Sequence, residues 1–442
     1  MIEAPSLALP RTPRTNPIRS RVDWEAQRSA FLSDPGAFHG AIARSTIHWY
    51  DAALHAWIIW DGAAMRWTGL SASTGQPVEV PYSAEHQPWQ RTFNADDPPF
   101  YRWFAGGLTN ACFNEVDRHV MMGFGDETAY IFEGDRWDNS LNGGRGGPVT
   151  EERVSWKKLL FEVIKATLVL TQLGVKQGDR IALNMPNILD QLYYTQAAKR
   201  LGVIYTPVFG GFSDKTLSDR IHNAGARVVI TSDGAYRNAQ IVPYKEVYTD
   251  QALDKFVPVE RAIAMVEQTL ATLQLAPAAA DLIVASVRAT IAEDITVERS
   301  DVMRGVGKAL QELRDLDVAT QSQIRTTVAK ALVDSPPRVE AVVVVRHTGQ
   351  DILWRPERDR WSHDLMALAS EQILSAARDH GIHVRSEEEL FNLPAATLLP
   401  FLLSVAPCTP VDAEYPLFII YTSGARASRR AWCMSTVAIS PA

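Results

Sequence analysis

The sequence predicts an α/β protein whose main body is a doubly wound parallel sheet. Short β-branched apolar runs alternate with helical segments between residues 154 and 232, and this alternation favours parallel strands with helices on both faces. Of the 442 residues, 46% are hydrophobic and 21% are charged, which is an ordinary balance for a globular protein with a sizeable core. An aromatic α+β cap at the N-terminus and a helical insert complete the predicted architecture.

Composition and charge exclude several classes of function. The formal net charge of -7 argues against a nucleic-acid partner, because phosphate backbones need clustered positive charge. The three cysteines have no metal-ligand spacing and favour a reducing, cytoplasmic setting. The longest apolar stretch, LPAATLLPFLLSVAPC, is shorter than the roughly 20 residues of a membrane span and contains prolines. The N-terminus lacks the apolar core of a secretory signal.

The N-terminal part divides into two predicted regions. Residues 1–21 are rich in proline and arginine and are expected to form a flexible arm. Residues 22–150 are dense in tryptophan and tyrosine, so we expect an α+β region whose aromatic side chains pack in a core; an aromatic ligand pocket is the alternative. Four glycines around Arg145 predict a mobile or tightly turned loop, with a phosphate cradle as the alternative.

The remaining chain is predicted as two parts of one α/β body separated by an insert. Residues 151–248 contain three strands and three helices. Residues 249–340 are almost purely helix-forming, and we expect a small bundle without strands. Residues 341–424 return to the sheet through VEAVVVVRH and end in the strand PLFIIYTSG.

The end of that last strand is the strongest chemical signal. Thr422, Ser423 and Gly424 directly follow the buried-looking strand. Small residues let the backbone bend so that N–H groups converge on a phosphate, and hydroxyl groups add donors. A plain strand-to-turn transition is the alternative reading. The glycines then stop, and residues 425–442 show no periodicity.

PLFIIYTSG resembles the signature of AMP-forming acyl-CoA synthetases, in which this strand runs into Thr-Ser-Gly-Ser-Thr-Gly-Lys-Pro-Lys-Gly. FAGGLTNACFNEVDRH resembles the N-terminal region of the acetyl- and propionyl-CoA synthetase branch. GVKQGDRIALNMPN, GVIYTPVFGGFSDKTLSDRIHNAGARVVITSDG and ERDRWSHDLM resemble successive pieces of its large domain. The loop WDNSLNGGRGGPV and the helical insert are similar to the ligase part of fused propionyl-CoA synthases. The resemblance therefore implies the N-terminal part of an adenylate-forming large domain, with layered parallel sheets and helices.

The resemblance also implies substrates, cofactors and site residues. ATP and a short-chain carboxylate (acetate, propionate or 3-hydroxypropionate) would give an acyl-adenylate, from which CoA displaces AMP; Mg²⁺ assists. Thr422, Ser423 and Gly424 would begin the loop around the ATP phosphates. Phe209, Gly210 and Gly211 match the turn that lies along CoA, although a simple strand-to-helix turn is the alternative. Arg237 matches an arginine used against the CoA phosphate, and Gln240 stands where relatives often have a second arginine.

The departure after Gly424 is consistent with a change of reading frame. Codons can be chosen for residues 427–438 so that the neighbouring frame, with one G in front, spells Gly-Lys-Pro-Lys-Gly-Val-Val-His-Val-His-Gly-Gly. Trp432 and Met434 each have only one possible codon, and both codons fit this alternative reading. We therefore expect an out-of-frame tail at 425–442 that has no reason to fold, an open sheet edge, and a poorly stable, inactive fragment of a ligase.

Other candidates are weaker. His119 and His363 lie in helical contexts that favour packing or surface roles, and the sequence predicts no catalytic residue and no metal site. A non-catalytic module that binds CoA or acyl-CoA is the alternative function. A dinucleotide oxidoreductase is disfavoured because no GxGxxG follows a strand. Other domains of a fused enzyme are possible partners of the insert.

Overall fold

The computed structural model describes residues 18–238, 240–291, 294–334 and 339–421, together with the backbone of 431–435. Within these ranges it confirms an α/β protein with a parallel central sheet. Thr422, Ser423 and Gly424 lie outside the described residues, as do 1–17 of the predicted arm and most of the predicted tail.

The N-terminal region begins with two helices and continues as small antiparallel sheets. Ser20 caps the first helix by accepting a hydrogen bond from the backbone N–H of Asp23, and Asp34 caps the second in the same way through Ala37. The first four strands form one sheet in sequence order, and the next two form a hairpin. The elements are α1 (Arg21–Ser33), α2 (Pro35–Thr46), β1 (Trp49–Asp51), β2 (Ala56–Asp61), β3 (Arg66–Ser71), β4 (Pro77–Val78), β5 (Arg91–Asn94) and β6 (Arg102–Ala105).

The aromatic residues of this region pack in its core. Trp49, Trp67, Trp89 and Phe104 are each at most 4% exposed. The rings of Trp49 and Trp89 lie 4.8 Å apart, and both contact Phe104. Each of these aromatic side chains buries a large apolar area, so a few of them can stabilise a region whose strands are short. The packing interpretation therefore holds for these four residues.

The glycine-rich segment around Arg145 is a tight hairpin. The stretch of chain that contains it, from β7 to β11, has the elements β7 (Leu108–Thr109), β8 (Thr128–Glu133), β9 (Trp137–Asp138), α3 (Leu141–Gly144), β10 (Gly147–Pro148) and β11 (Glu151–Ser155). β9 pairs with β10, and β8 pairs with β11. Gly146 has a φ of +79°, and a Cβ there would overlap the Trp137 indole. The glycine is therefore required by the turn itself.

The first part of the parallel body follows the predicted alternation. Its elements are α4 (Trp156–Gln172), β12 (Arg180–Asn184), α5 (Leu189–Leu201), β13 (Ile204–Pro207), α6 (Asp214–Ala224), β14 (Val228–Ser232), β15 (Ala235–Arg237) and β16 (Gln240–Val242). Gly202 and Gly225 end α5 and α6 in the left-handed conformation, which a glycine adopts without a Cβ penalty. β15 and β16 form a separate hairpin.

The helical region has its own core, but it also contains strands. Its elements are α7 (Gln251–Asp254), β17 (Phe256–Pro258), α8 (Val259–Thr272), α9 (Pro277–Ile291), β18 (Thr296–Glu298), α10 (Arg299–Glu312) and α11 (Val318–Asp334). β17 pairs antiparallel with β18, so the expectation of a strand-free bundle was wrong. Strands of three residues are too short to show a period of two in sequence.

The sheet is completed by the last part of the chain. Its elements are β19 (Ala341–Val345), β20 (Asp359–Trp361), α12 (Ser362–Asp379), α13 (Glu387–Phe391), α14 (Ala395–Val405), β21 (Val411–Asp412), β22 (Pro416–Tyr421) and β23 (Ala431–Ser435). In the described part of the chain the strand order is β20-β19-β14-β12-β13-β22-β23. All neighbouring strands are parallel except β22 and β23.

Both faces of the sheet are buried. Val343 and Val345 pack in a core with α4, α5 and α12, whereas Val342 and Val344 pack in a second core with α6. Alternate residues of one strand thus supply two cores, as the period of two requires. This arrangement explains the continuous apolar run at β19.

The edge of the sheet beside β22 differs from expectation. β23, which lies in the predicted out-of-frame tail, pairs antiparallel with β22 along Phe418–Tyr421. The expectation that this segment would not fold and would leave the edge open was therefore wrong for the backbone of 431–435. An unpaired edge strand presents backbone donors and acceptors that another extended segment can satisfy, whatever its side chains.

No helix among the described residues is long and apolar enough to cross a membrane.

Candidate functional site

Two predicted binding elements lie at one edge of the sheet. β13 and β22 are parallel neighbours, with Tyr205 opposite Phe418. Because parallel strands end at the same edge, the turn after β13, residues 209–211, and the end of β22 at Tyr421 lie on the same side of the molecule. The placement of Thr422, Ser423 and Gly424 against a phosphate stays a prediction, since the described strand stops one residue before them.

Tyr244 covers the turn at Gly210. A Cβ on Gly210 would overlap the Tyr244 hydroxyl oxygen, and Tyr244 is only 6% exposed. From the resemblance, this glycine turn is expected to lie along CoA. For Gly210 the structure gives another reason for a glycine: the phenol ring occupies the space that a side chain would need.

Phe209 and Gly211 leave the other side of the turn open. The Phe209 side chain is 71% exposed, and its ring edge lies 2.6 Å from where a Cβ of Gly211 would be. The turn therefore offers an aromatic face to solvent.

Arg237 lies within electrostatic reach of the same tyrosine. Burial raises the pKa of Tyr244 to about 12 and Tyr248 adds to the rise, whereas the Arg237 guanidinium opposes it. Arg237 is exposed at the end of β15, where its backbone pairs with Gln240. The structure thus brings both Arg237 and the 209–211 turn close to Tyr244.

Asp233 anchors the hairpin that carries Arg237. Its carboxylate accepts backbone N–H bonds from Gly234 (2.6 Å), His347 (2.8 Å), Thr348 (3.0 Å) and Gly349 (2.7 Å). Four such bonds satisfy a buried charge and fix the loop after β14 to the loop after β19. The sequence analysis missed this residue; its signal is an Asp-Gly pair directly after a buried strand.

A buried ion network lies behind Tyr244. The Lys245 ammonium contacts the carboxylates of Asp250 (2.9 Å) and Asp359 (2.8 Å). Arg358 also pairs with Asp250, and with Asp254 at 3.1 Å. Burial raises the pKa of Asp250, while Lys245 and Arg358 oppose that rise. Because Lys245 follows Tyr244, the network holds the backbone that places the phenol on Gly210.

The two histidines considered from sequence have packing and surface positions. The ring of His119 stacks on Trp156 with centroids 4.0 Å apart. The side chain of His363 is 51% exposed in α12. Neither lies in the elements that carry the 209–211 turn or Arg237.

The candidate metal cluster among the described residues does not fit Mg²⁺. The one group of three potential ligands found among them is Cys112, Asp117 and Cys408, all buried. Mg²⁺ prefers oxygen ligands, and two of these three are thiols. In addition, an Arg200 nitrogen lies 2.8–2.9 Å from both Asp117 oxygens, where it already neutralises the carboxylate.

Two family profiles match the chain. The sequence profile of the AMP-binding enzymes matches residues 118–428, and that of the acetyl-coenzyme A synthetase N-terminus matches residues 85–114. The first match contains both the 209–211 turn and β22. The second lies in the region predicted to resemble this branch.

Curated relatives match large parts of the chain. An acetyl-coenzyme A synthetase of Rhodopirellula baltica is 37% identical over 184 residues, which is 41% of this chain and 26% of that protein. Acetyl-coenzyme A synthetases of Nitrosomonas europaea and Streptomyces coelicolor are each 29% identical, over 81% and 75% of this chain and 35% and 32% of their own lengths. The chain thus spans about a quarter to a third of these relatives. The match of the AMP-binding enzyme profile to residues 118–428, more than half of the chain, shows that the chain belongs to the AMP-binding enzyme family.

Proposed function

We propose that this protein derives from an AMP-forming acid–CoA ligase of the acetyl- and propionyl-CoA synthetase branch. The supporting observation is the parallel pairing of β13 with β22, because it puts the predicted CoA turn and the strand of the predicted phosphate turn at one edge. A carboxylate oxygen would attack the α-phosphorus of ATP and release pyrophosphate; the CoA thiol would then displace AMP. Acetate, propionate and 3-hydroxypropionate are the proposed acids.

The chain's own residues would bind and orient the substrates. The exposed Phe209 ring and the adjoining glycines would lie along CoA, and the exposed Arg237 guanidinium would face its phosphate. Thr422, Ser423 and Gly424 would donate backbone and hydroxyl hydrogen bonds to the ATP phosphates. Such fixed donors favour reaction because they need no reorganisation as charge develops.

We further propose that the reading frame changes inside the Gly424 codon. Codons can be chosen for residues 424–426 (GGA GCA CGG) and for residues 427–430 (GCA AGC CGA AGG) that read in the neighbouring frame as Ser-Thr-Gly-Lys-Pro-Lys. This is the part of the signature that should follow Thr-Ser-Gly. Loss of one nucleotide is therefore enough to explain the whole departure.

The consequence is a chain unable to activate an acid. Residues 425–442 as they stand contain no lysine and so lack the two lysines of the signature. Removing one fixed donor from such a site typically costs about 2.7–4 kcal/mol of transition-state stabilisation, or roughly a hundred- to a thousandfold in rate.

Acid-dependent exchange between ATP and labelled pyrophosphate tests both proposals. The chain with its present residues 425–442 is expected to show no exchange with any of the three acids. The gene with one nucleotide restored in the Gly424 codon is expected to show it. Exchange by the present chain would refute the inactivity, and a silent restored protein would refute the ligase activity.

A second candidate is a module that binds CoA or acyl-CoA without catalysis. The 209–211 turn and Arg237 favour it, because they are formed without any residue after 424. Calorimetric titration with CoA is expected to give binding that weakens about tenfold in Arg237→Met. The exposed Arg66→Met on β3 is the matched control.

The narrower relation to a fused propionyl-CoA synthase is also a proposal. It is supported by the hairpin around Arg145 and by an insert with a separate core, and it makes other domains of a fused enzyme the partners of that insert. Co-purification of this protein with a separately expressed hydratase or reductase domain of such a fused enzyme would test the proposal.

A further inference from the structure

Arg220 is a buried cation whose side chain has no anionic partner among the residues that the structure describes. It lies in α6 and is 8% exposed, and within the described part of the chain its guanidinium makes no hydrogen bond or ion pair. Its guanidinium carbon lies 4.0 Å from the centre of the Phe212 ring and 5.3 Å from that of Tyr421. It is thus held between the turn that follows β13 and the last residue of β22.

Other buried cations of this protein are paired with carboxylates. Arg200 contacts Asp117 at 2.8 Å, and Lys245 contacts Asp359 at 2.8 Å. The carboxylate next to Arg220 in sequence, Asp219, instead accepts hydrogen bonds from Lys215 (2.7 Å) and Thr296 (2.5 Å). The Asp219 carboxylate therefore bonds to Lys215 and to Thr296 of the insert, and not to Arg220.

Two ring faces do not replace a counter-ion. Cation–π attraction offsets only part of the cost of removing a guanidinium from water, and buried charges are normally paired. Burial lowers the pKa of Arg220, and Tyr421 partly opposes this effect. An anion supplied from outside the described part of the chain would provide the missing counter-charge.

We propose that Arg220 binds a phosphate group of a nucleotide ligand at the carboxyl end of β22. A guanidinium between two aromatic rings presents its N–H edge in a fixed plane, which suits the oxygens of a phosphate. The position of Tyr421, one residue before the predicted phosphate turn, favours phosphate over other anions. The choice of nucleotide rests on the proposed function: a phosphate of ATP, AMP or pyrophosphate, or a phosphate of CoA.

Calorimetry on the full chain tests this proposal with four probes: inorganic pyrophosphate, AMP, CoA and dephospho-CoA. Arg220→Met keeps the side-chain length and removes the charge, Arg220→Lys keeps the charge, and Arg66→Met is the exposed control. At least one probe is expected to bind at least tenfold more weakly to Arg220→Met, with a smaller loss in Arg220→Lys and none in Arg66→Met.

The pattern of losses identifies the ligand. Weakened pyrophosphate or AMP binding assigns Arg220 to the ATP phosphates. Weakened CoA binding with unchanged dephospho-CoA binding assigns it to the 3′-phosphate of CoA, and weakening of both assigns it to the CoA diphosphate. The thermal midpoint of Arg220→Met without ligand is expected to equal or exceed that of the parent chain, because an unpaired buried charge has been removed.

Equal affinities of the parent chain and Arg220→Met for every probe, or no binding of any probe by the parent chain, would overturn the proposal. If Arg220→Met does not fold, Arg220→Gln replaces it with the same criteria. The exchange assay on the frame-restored protein is independent of this test. If the frame-restored protein shows exchange but Arg220→Met binds every probe as the parent chain does, only the role of Arg220 is refuted. If Arg220→Met binds more weakly but the frame-restored protein shows no exchange, only the ligase activity is refuted.

Discussion

The N-terminal region and the helical insert are joined to the parallel sheet in different ways. The N-terminal region is joined through buried polar contacts: Asp117 and Arg200 pair with no exposed side-chain surface. Nearby, the Asn110 amide donates to the carbonyl oxygens of Lys199 (3.0 Å) and Thr409 (2.8 Å). The helical bundle of the insert, residues 256–334, is joined through partly exposed contacts, such as Lys215 with Asp294 at 3.8 Å.

The hydrophobic cores differ in the same way. Trp57 of β2 stacks on Phe113 at 4.2 Å, and both belong to the core that lies under α4 and α5. The insert has a core of its own, built from Val266, Ile283, Val306 and Val328, that shares no residue with the cores of the sheet. We infer that the N-terminal region folds with the sheet as one unit and that the insert is a separate unit.

Breaking the Asp117–Arg200 pair should have the largest effect. Arg200→Met leaves a buried carboxylate without its partner, which typically costs about 3–5 kcal/mol. Urea denaturation is expected to show this loss in a single transition. The double variant Asp117→Leu with Arg200→Met should recover most of it, since it leaves no unpaired charge. If Arg200→Met lowers the free energy of unfolding by less than about 1 kcal/mol, the buried Asp117–Arg200 pair does not hold the N-terminal region to the sheet.

Acid should weaken the same joint through His48. This residue is 1% exposed and packs against Phe113. Burial, together with the charges of Arg118 and His119, lowers the pKa of His48 to about 3. The unfolded chain takes up this proton near pH 6.5, so the contribution of His48 is complete above that pH and is lost as the pH falls towards 3.

The expected loss from His48 is about 2 kcal/mol between pH 6.5 and pH 5. Denaturant titrations at the two pH values give the change in the free energy of unfolding between them. This change should be smaller in His48→Phe than in the parent chain by about 2 kcal/mol. His55→Phe is the control, because His55 lies in a surface turn of the same sheet. An identical pH dependence in the parent chain and His48→Phe would exclude a buried neutral imidazole.

At the insert the effects should be smaller. Asp219 accepts hydrogen bonds from Lys215 and from both the backbone N–H and the hydroxyl of Thr296. Its side chain is 13% exposed. Asp219→Asn keeps the shape and part of the bonding, so we expect a loss of about 1 kcal/mol in the unfolding free energy. A loss as large as that of Arg200→Met would remove the distinction between the two joints.

Removing the insert should affect the rest of the protein least. Replacing residues 256–334 by a Gly-Ser linker keeps α7, whose Ala252 and Leu253 belong to a core of the sheet. The thermal midpoint of the remaining body is expected to change by less than about 4 °C, which corresponds to roughly 1 kcal/mol. Loss of cooperative unfolding would show that the insert is part of the body.

The sequence predicted those parts of the fold that have a local signal. β12, β14 and β19 are recognisable as short β-branched runs, and their helices have regular periodicity. Short strands inside the insert, β17 and β18, give no such signal. The pairing of β23 could not be predicted either, because a backbone ladder depends on an available edge rather than on a sequence pattern.

Part of the candidate site follows from motif similarity. Motif similarity singled out Phe209, Gly211 and Arg237, and their role in binding CoA stays a prediction. Tyr244, Asp233 and the Lys245 network were missed because their partners are distant in sequence or belong to loops. The Asp117–Arg200 pair was missed for the same reason, since 83 positions separate the two residues.

The nucleotide sequence of the gene from the codon of Tyr421 to that of Ala438 tests the central claim most directly. Our account predicts codons whose neighbouring frame reads Ser-Thr-Gly-Lys-Pro-Lys-Gly after Thr-Ser-Gly, with one nucleotide missing from the Gly424 codon. Codons that cannot encode this continuation in either neighbouring frame would contradict the account, because residues 425–442 would then be the protein's own sequence.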